Sequence, residues 1–146
     1  MAANKDVISK IINYIEDHLT DELDLDKIAK IAGYSKYHLN RMFSNVIGCT
    51  IHQYIQNRRL TEAAKQLVFT DKSIIDIAFN TGYETHQSFT LAFKNLYRES
   101  PQTYRKKGNF IAIQPKCIVL SEIRMHKNKN ISYINKFNTK CEVKAA

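Results

Sequence analysis

Three observations predict an all-α fold of seven helices followed by a short C-terminal tail that carries β-prone runs. The chain has 146 residues with only four Gly and two Pro, too few for a turn-rich β architecture. Apolar residues recur at three- and four-residue intervals, the spacing of buried helix faces. One segment also occurs twice. Ile28-Ala29-Lys30-Ile31-Ala32-Gly33-Tyr34-Ser35 precedes a polar helix ending in Phe43. Ile77-Ala78-Phe79-Asn80-Thr81-Gly82-Tyr83-Glu84-Thr85 precedes another, ending in Phe93. In each copy an Ala stands four residues before a Gly, a Tyr follows the Gly, and a hydroxyl residue opens the next helix.

The first helix is read from Val7, Ile8, Ile11, Ile12, Ile15 and Leu19, with Asn4 or Asp6 as its cap. Asp24 caps the second, and Gly33 ends it where a positive φ is needed. Ser35 caps the third, which buries Leu39, Met42 and Phe43. Thr50 opens a long fourth helix through about Val68, with Ile51, Tyr54, Ile55, Leu60, Ala63, Ala64 and Leu67 for burial. Ser73 and Asp76 start the fifth in a capping-box-like pattern, and Gly82 ends it. Thr85 caps the sixth, which buries Phe89, Ala92, Phe93 and Leu96. Ser100-Pro101, an N-cap followed by Pro at the first helical position, opens the seventh with Tyr104.

The expected organisation is a helical domain over 4–107. It holds a first helix-turn-helix at about 24–46, a linking helix at about 51–68 and a second helix-turn-helix at about 73–97. Residues 108–146 form an extension whose role the sequence leaves open. Phe110 to Ile113 and Cys117 to Leu120 are β-prone, and 131–143 is polar and weakly patterned. A small sheet, a partner-dependent arm and partial disorder all fit this segment.

Net charge is +8, which favours a polyanionic partner. Residues 16–26 hold six acids and no Lys or Arg. From Lys27 to Lys107 there are thirteen Lys and Arg against five Asp and Glu, and from Gly108 onward seven against two. Both motifs thus lie in basic sequence, with the acidic cluster expected to face away from the polyanion.

Cys49, Cys117 and Cys141 form neither a CxxC pair nor a disulfide framework, which suggests a reducing compartment. The five histidines lack metal-ligand spacing, so no metal or cofactor is expected, and no Cys/His constellation points to an enzyme. No apolar run approaches membrane-spanning length and the N-terminus lacks a signal-peptide core. The expectation is therefore a cytoplasmic protein with no membrane partner.

Aligned on glycine and cap, Ser35 matches Thr85, Leu39 matches Phe89 and Phe43 matches Phe93, with one extra residue in the second turn. The outward face of the first recognition helix then carries Lys36, Tyr37, Asn40 and Arg41. The second carries His86, Gln87, Thr90 and Leu91, with Lys94 beyond. Arg, Asn and Gln can bond base edges bidentately, and Leu or a Thr methyl can pack on thymine methyls. The helix N-termini at Ser35 and Thr85 offer N–H groups to phosphate. The linking helix is roughly 27 Å long at about 1.5 Å per residue. With its turns, that suits recognition helices about one DNA turn (about 34 Å) apart. One monomer would then read two successive major grooves of an asymmetric double-stranded site.

These residues resemble the AraC/XylS family of bacterial transcription regulators over about Val7 to Lys107. Ile77-Ala78, Gly82-Tyr83, Ser88-Phe89, Phe93-Lys94, Ser100-Pro101 and Tyr104-Arg105 carry the resemblance most specifically. Gly33-Tyr34-Ser35-Lys36, His38-Leu39 and Arg41-Met42-Phe43 are similar to its small MarA/SoxS/Rob type. The resemblance implies an activator that binds near a promoter and touches RNA polymerase. It puts Tyr37, Asn40 and Arg41, then Gln87, Thr90 and Leu91, on the DNA. Two residues depart from the family. Leu91 stands where close relatives often have Arg, and Arg98 where many members have Gly before the Ser-Pro. A sensory domain is usual in the family, most often N-terminal; with few residues before the first helix, none is expected there. Two other readings stay open: a repressor with the same DNA-binding mode, and a ligand- or protein-sensing module acting through the tail, its effector unknown.

Overall fold

Among the described residues seven helices follow one another: α1 (Ala2–Asp17), α2 (Leu25–Ala32), α3 (Lys36–Ile47), α4 (Ile51–Phe69), α5 (Ile74–Asn80), α6 (His86–Tyr97) and α7 (Pro101–Lys107). The structure, a computed structural model, describes residues 2–119, with backbone alone for 2 and 3. Among the described residues there is no strand. The predicted all-α class and helix order therefore hold. Asn4 and Asp6 do not cap α1, because the helix already includes Ala2.

The repeated Ala-x-x-x-Gly-Tyr element is a helix terminator. Tyr34 N–H donates to the Ala29 carbonyl and Gly33 N–H to that of Lys30, both at 3.1 Å. In the second copy Tyr83 N–H reaches Ala78 (3.3 Å) and Gly82 N–H reaches Phe79 (3.1 Å). This is the Schellman pairing, which satisfies carbonyls a helix end would otherwise leave orphaned and needs a left-handed residue at the Gly. Gly33 has φ 77° and Gly82 has φ 88°.

Each following helix starts on a hydroxyl cap. Ser35 Oγ accepts from His38 N–H at 3.2 Å, and Thr85 Oγ1 from Ser88 N–H at 3.0 Å. Thr50 and Gln53 form a reciprocal capping box on α4, at 3.0 and 3.1 Å. Asp24, Ser73 and Ser100 cap α2, α5 and α7.

The chain divides into two compact units. The first holds residues 2–18 and 23–55 and the described residues from Lys116 on; the second holds 19–22 and 56–115. In the first, α1 packs on α2 and α3. Its buried residues are Ile8, Ile11, Ile12 and Ile15, Ile28 and Ala29, and Leu39, Met42, Phe43 and Ile47, with Cys49, Ile51, Tyr54 and Ile55 behind them. In the second, α5 packs on α6 and α6 on α7. Leu60, Ala63, Ala64 and Leu67 of α4 meet Ile77, Ala78, Phe89, Phe93, Tyr97 and Tyr104 there. Ala92 and Leu96, expected to be buried, are partly so and pack against this cluster.

The described segment after α7 forms no strand, so among the readings left open for it a small sheet is absent from residues 108–119. Three of its backbone N–H groups, those of Ile111, Gln114 and Cys117, donate to side-chain hydroxyls rather than to another strand. In the second unit Ile111 N–H donates to Tyr104 Oη (2.8 Å), Tyr97 Oη donates to the Ile111 carbonyl (2.9 Å), and Gln114 N–H donates to Thr61 Oγ1 (3.0 Å). In the first, Cys117 N–H donates to Tyr54 Oη at 3.0 Å. β-prone composition alone cannot make a sheet when buried hydroxyls offer the backbone its partners. The remainder of the second β-prone run, Leu120, and the polar stretch 131–143 lie outside the described residues. Burial holds Tyr97 mainly in its neutral form, its hydroxyl pushed up to about 12; Tyr104 and Tyr83 are raised for the same first reason.

Candidate nucleic-acid interface

The two recognition helices are built to one plan. α3 and α6 each have 12 residues, each starts on a hydroxyl cap, and each ends on a left-handed residue, Gly48 (φ 94°) or Arg98 (φ 66°). Arg98 is the one non-Gly residue with positive φ among those described. It makes the left-handed turn that Gly48 makes in the first copy, at a strain of about 1–2 kcal/mol.

From the cap onward each residue of the second copy lies fifty positions after its counterpart, as Ser35 and Thr85, Leu39 and Phe89, Gly48 and Arg98, and Tyr54 and Tyr104 show. The equivalence extends to ring geometry. Phe43 meets Tyr54 edge-on at 5.5 Å, and Phe93 meets Tyr104 edge-on at 5.4 Å.

With Leu39 and Phe43, or Phe89 and Phe93, turned fully inward, each helix presents an opposite, exposed stripe. On α3 this holds Lys36, Tyr37 and Arg41; on α6 it holds His86, Gln87, Leu91 and Lys94. Tyr37 is 76% exposed and Leu91 64%, so an aromatic and an aliphatic group stand free at positions a soluble helix ordinarily fills with polar residues. Lys36 pairs with Asp26 at 3.1 Å; with both partners exposed, such a pair is worth little and yields readily to a phosphate. Ser35 and Thr85 are exposed but spend their hydroxyls on capping.

Asn40 and Thr90 do not join the exposed stripes. Both are partly buried. Asn40 Oδ1 accepts from Ile51 N–H at 3.1 Å, satisfying the first donor of α4. The counterpart of Ile51 is Pro101, which has no N–H. Thr90, at the place of Asn40, accordingly leaves its Oγ1 without a partner. The sequence pattern puts both residues on the outward face; packing leaves each partly buried.

Three arginines serve the fold. Arg58, 3% exposed, donates to the Gln114 carbonyl at 2.8 Å and pairs with Glu62 at 2.9 Å. Arg59 donates to the carbonyls of Leu19 (2.8 Å) and Asp21 (2.7 Å), and its guanidinium lies where a Gly82 side chain would sit, 3.3 Å from the site of a Cβ. Partial burial lowers its pKa, against an opposing effect of Tyr83. Arg105 donates to the carbonyls of Leu67 (2.9 Å) and Lys72, so it closes the C-terminal end of α4 as cations do at helix ends. Tyr34 and Tyr83 pack on the rings of His38 (5.1 Å) and Phe89 (5.7 Å).

Two turns of the Schellman type, each delivering a capped helix with an exposed stripe, define a double helix-turn-helix DNA-binding domain. A family model described as a helix-turn-helix domain matches residues 28–107. The HTH-type transcriptional activator AarP of Providencia stuartii is 40% identical over 114 residues, which cover 75% of this chain and 84% of that protein. The right origin-binding protein of Escherichia coli K12 is 38% identical over 128 residues, 86% of this chain but 44% of that protein. Among solved structures, an AraC-type regulator from Chromobacterium violaceum superposes with a TM-score of 0.68 at 25% identity, covering 74% of this chain and 96% of that one. The chain belongs to the AraC-type family of helix-turn-helix transcriptional regulators, on the MarA/SoxS/Rob side. No helix among the described residues is long and apolar enough to cross a membrane.

Proposed function

We propose that this protein activates transcription in a bacterial cytoplasm by binding a promoter site and contacting RNA polymerase. α3 and α6 enter successive major grooves of an asymmetric duplex. The observation that carries the reading is the pair of exposed stripes on two equivalent capped helices. Arg41 and Gln87 supply hydrogen-bonding groups to base edges, Tyr37 and Leu91 supply apolar contact, and Lys36 and Lys94 supply charge to phosphates. Ser35 and Thr85 act through the N–H groups of the turns they cap, which face phosphate. His86, at the start of α6, is a further backbone or base contact. Asn40 and Thr90 support the interface from behind. The name of AarP as an activator and the continuous 19-residue α4 support activation and the two-groove mode, respectively.

The test is binding to duplexes of roughly 20 base pairs selected from a randomised pool, compared with scrambled versions at physiological salt. Specific binding whose affinity falls steeply with salt is expected. Equal affinity for selected and scrambled duplexes would refute sequence-specific reading. Transcription from a promoter carrying the selected site decides the sign, a fall in transcript marking a repressor.

A further inference from the structure

Arg41 and Leu91 occupy the same place on the two recognition helices. Each lies six residues beyond its hydroxyl cap, fifty positions from the other, on the exposed side. The surroundings are also matched: Leu39 and Phe89 are fully buried two residues before, and Phe43 and Phe93 two residues after. A side chain here projects to the same depth from either helix. The chemistry at its tip is opposite.

Leu91 stands among polar neighbours. Gln87, one turn earlier, and Lys94 and Asn95, one turn later, are exposed. An aliphatic tip cannot bond a phosphate, a sugar hydroxyl or a base amine. The apolar feature on the major-groove edge of unmodified DNA is the C5-methyl group of thymine. Arg41, at the same depth, carries the fork that matches guanine O6 and N7.

We infer that Leu91 reads a thymine methyl group in the second half-site, at the groove position where Arg41 reads guanine in the first. The inference rests on the proposed DNA-binding reading and adds base identity to it. The duplicated fold thus meets a site whose two halves differ at one equivalent position, which sets the orientation of the protein on the duplex. Because the contact is to a methyl group and not to the O4 oxygen, 5-methylcytosine satisfies it as thymine does, and uracil does not.

The test uses the full chain and a duplex selected from a randomised pool by that chain. Each thymine of the selected duplex is replaced singly by uracil, which removes one methyl group and leaves pairing intact. One replacement is expected to weaken wild-type binding roughly four-fold, the worth of one buried methyl group. Leu91→Ala binds the thymine and uracil versions of that position equally. Replacing that thymine–adenine pair by 5-methylcytosine–guanine retains more affinity than replacing it by cytosine–guanine. Leu91→Arg shifts the preference there from thymine to guanine, by roughly ten-fold. Leu91 is exposed, so neither variant disturbs the core. Selected binding that is insensitive to every uracil, or a uracil loss of equal size in wild type and Leu91→Ala, would overturn the assignment while leaving sequence-specific binding intact. The assignment also fails if Leu91→Ala leaves DNA binding unchanged, as a protein-contacting Leu91 would require. A pool that yields no preferred duplex defeats the parent reading, and this one with it.

Discussion

The two helix-turn-helix copies agree wherever the backbone needs a partner and disagree wherever a side chain is free. Both close the first helix with a Schellman pairing at Gly33 or Gly82, both open the second on a hydroxyl, and both lay a Phe against a Tyr whose hydroxyl accepts a backbone N–H from the segment after α7. They part at Gly48 and Arg98, at Asn40 and Thr90, and at Arg41 and Leu91. The first two differences are structural. Gly is relieved by no side chain at Gly48, and Arg98 adopts the same left-handed backbone under strain. Asn40 serves an N–H that Pro101 does not have. The third lies on the exposed stripe and changes the chemistry offered to a partner. A duplicated fold is thus held by its backbone requirements, and its copies differ in chemistry at exposed positions.

Core truncation separates the copies most. Phe93 stacks on Tyr97 at 4.7 Å and also meets Phe89 and Tyr104. Phe93→Ala is expected to cost about 3–5 kcal/mol and to exceed Phe43→Ala by about 1 kcal/mol through the extra ring pairs. Urea unfolding of both variants checks this, and equal losses would mean that the aromatic cluster adds nothing to burial.

The next largest effect falls on recognition. Arg41→Ala should weaken selected-site binding by about 1–3 kcal/mol and relax base preference in one half-site. A fluorescence titration against single-base variants measures it. Uniform weakening across all sequences would move Arg41 from the bases to the backbone.

Asn40 and Thr90 provide a sharper contrast at lower magnitude. Asn40→Ala strands the buried Ile51 N–H and should destabilise by about 1–3 kcal/mol. Thr90→Val removes a hydroxyl that has no partner, so thermal melting should show no loss or a slight gain. If the two substitutions cost the same, the Pro101 explanation is wrong.

Arg98→Gly should stabilise by about 1 kcal/mol by releasing the left-handed strain, whereas Gly48→Ala should destabilise by a similar amount. A loss of stability in Arg98→Gly would show that the Arg side chain contributes more than its backbone costs.

The last effect appears only at alkaline pH. Burial raises the Tyr97 hydroxyl from 10.0 to about 12, so the fold favours the neutral phenol. Its contribution is whole below about pH 10 and is lost as pH rises towards 12. Unfolding measured at pH 9 and pH 11 should show this decline, and Tyr97→Phe should lessen it. An identical decline in the variant would assign the alkaline sensitivity to other groups.

Local chemistry made most of the fold legible in the sequence. Asp24, Ser35, Thr50, Ser73, Thr85 and Ser100 mark helix starts because a short polar side chain reaches its own N3 or N2 amide without help from the rest of the chain. Gly33 and Gly82 mark stops because a positive φ excludes most other residues. The inward positions of Leu39, Phe43, Phe89 and Phe93 follow from helical periodicity. Arg98 was the exception to the stop signals: nothing in its identity announces a left-handed turn.

Contacts made far along the chain were not legible. Tyr54, Tyr97, Tyr104, Thr61 and Arg58 hold residues 111–117 over separations of 7 to 63 positions, and β-prone composition could not choose between a sheet, an arm and disorder. The same holds for Asn40, whose type suits a base edge as well as it suits Ile51 N–H. The amino-acid sequence by itself determined the seven described helices and the caps of all but the first, because each depends on groups within about one helical turn. Only the tertiary structure decided which polar side chains of the two helices remain exposed. That choice depends on which backbone donors and acceptors the folded chain brings within reach of each one.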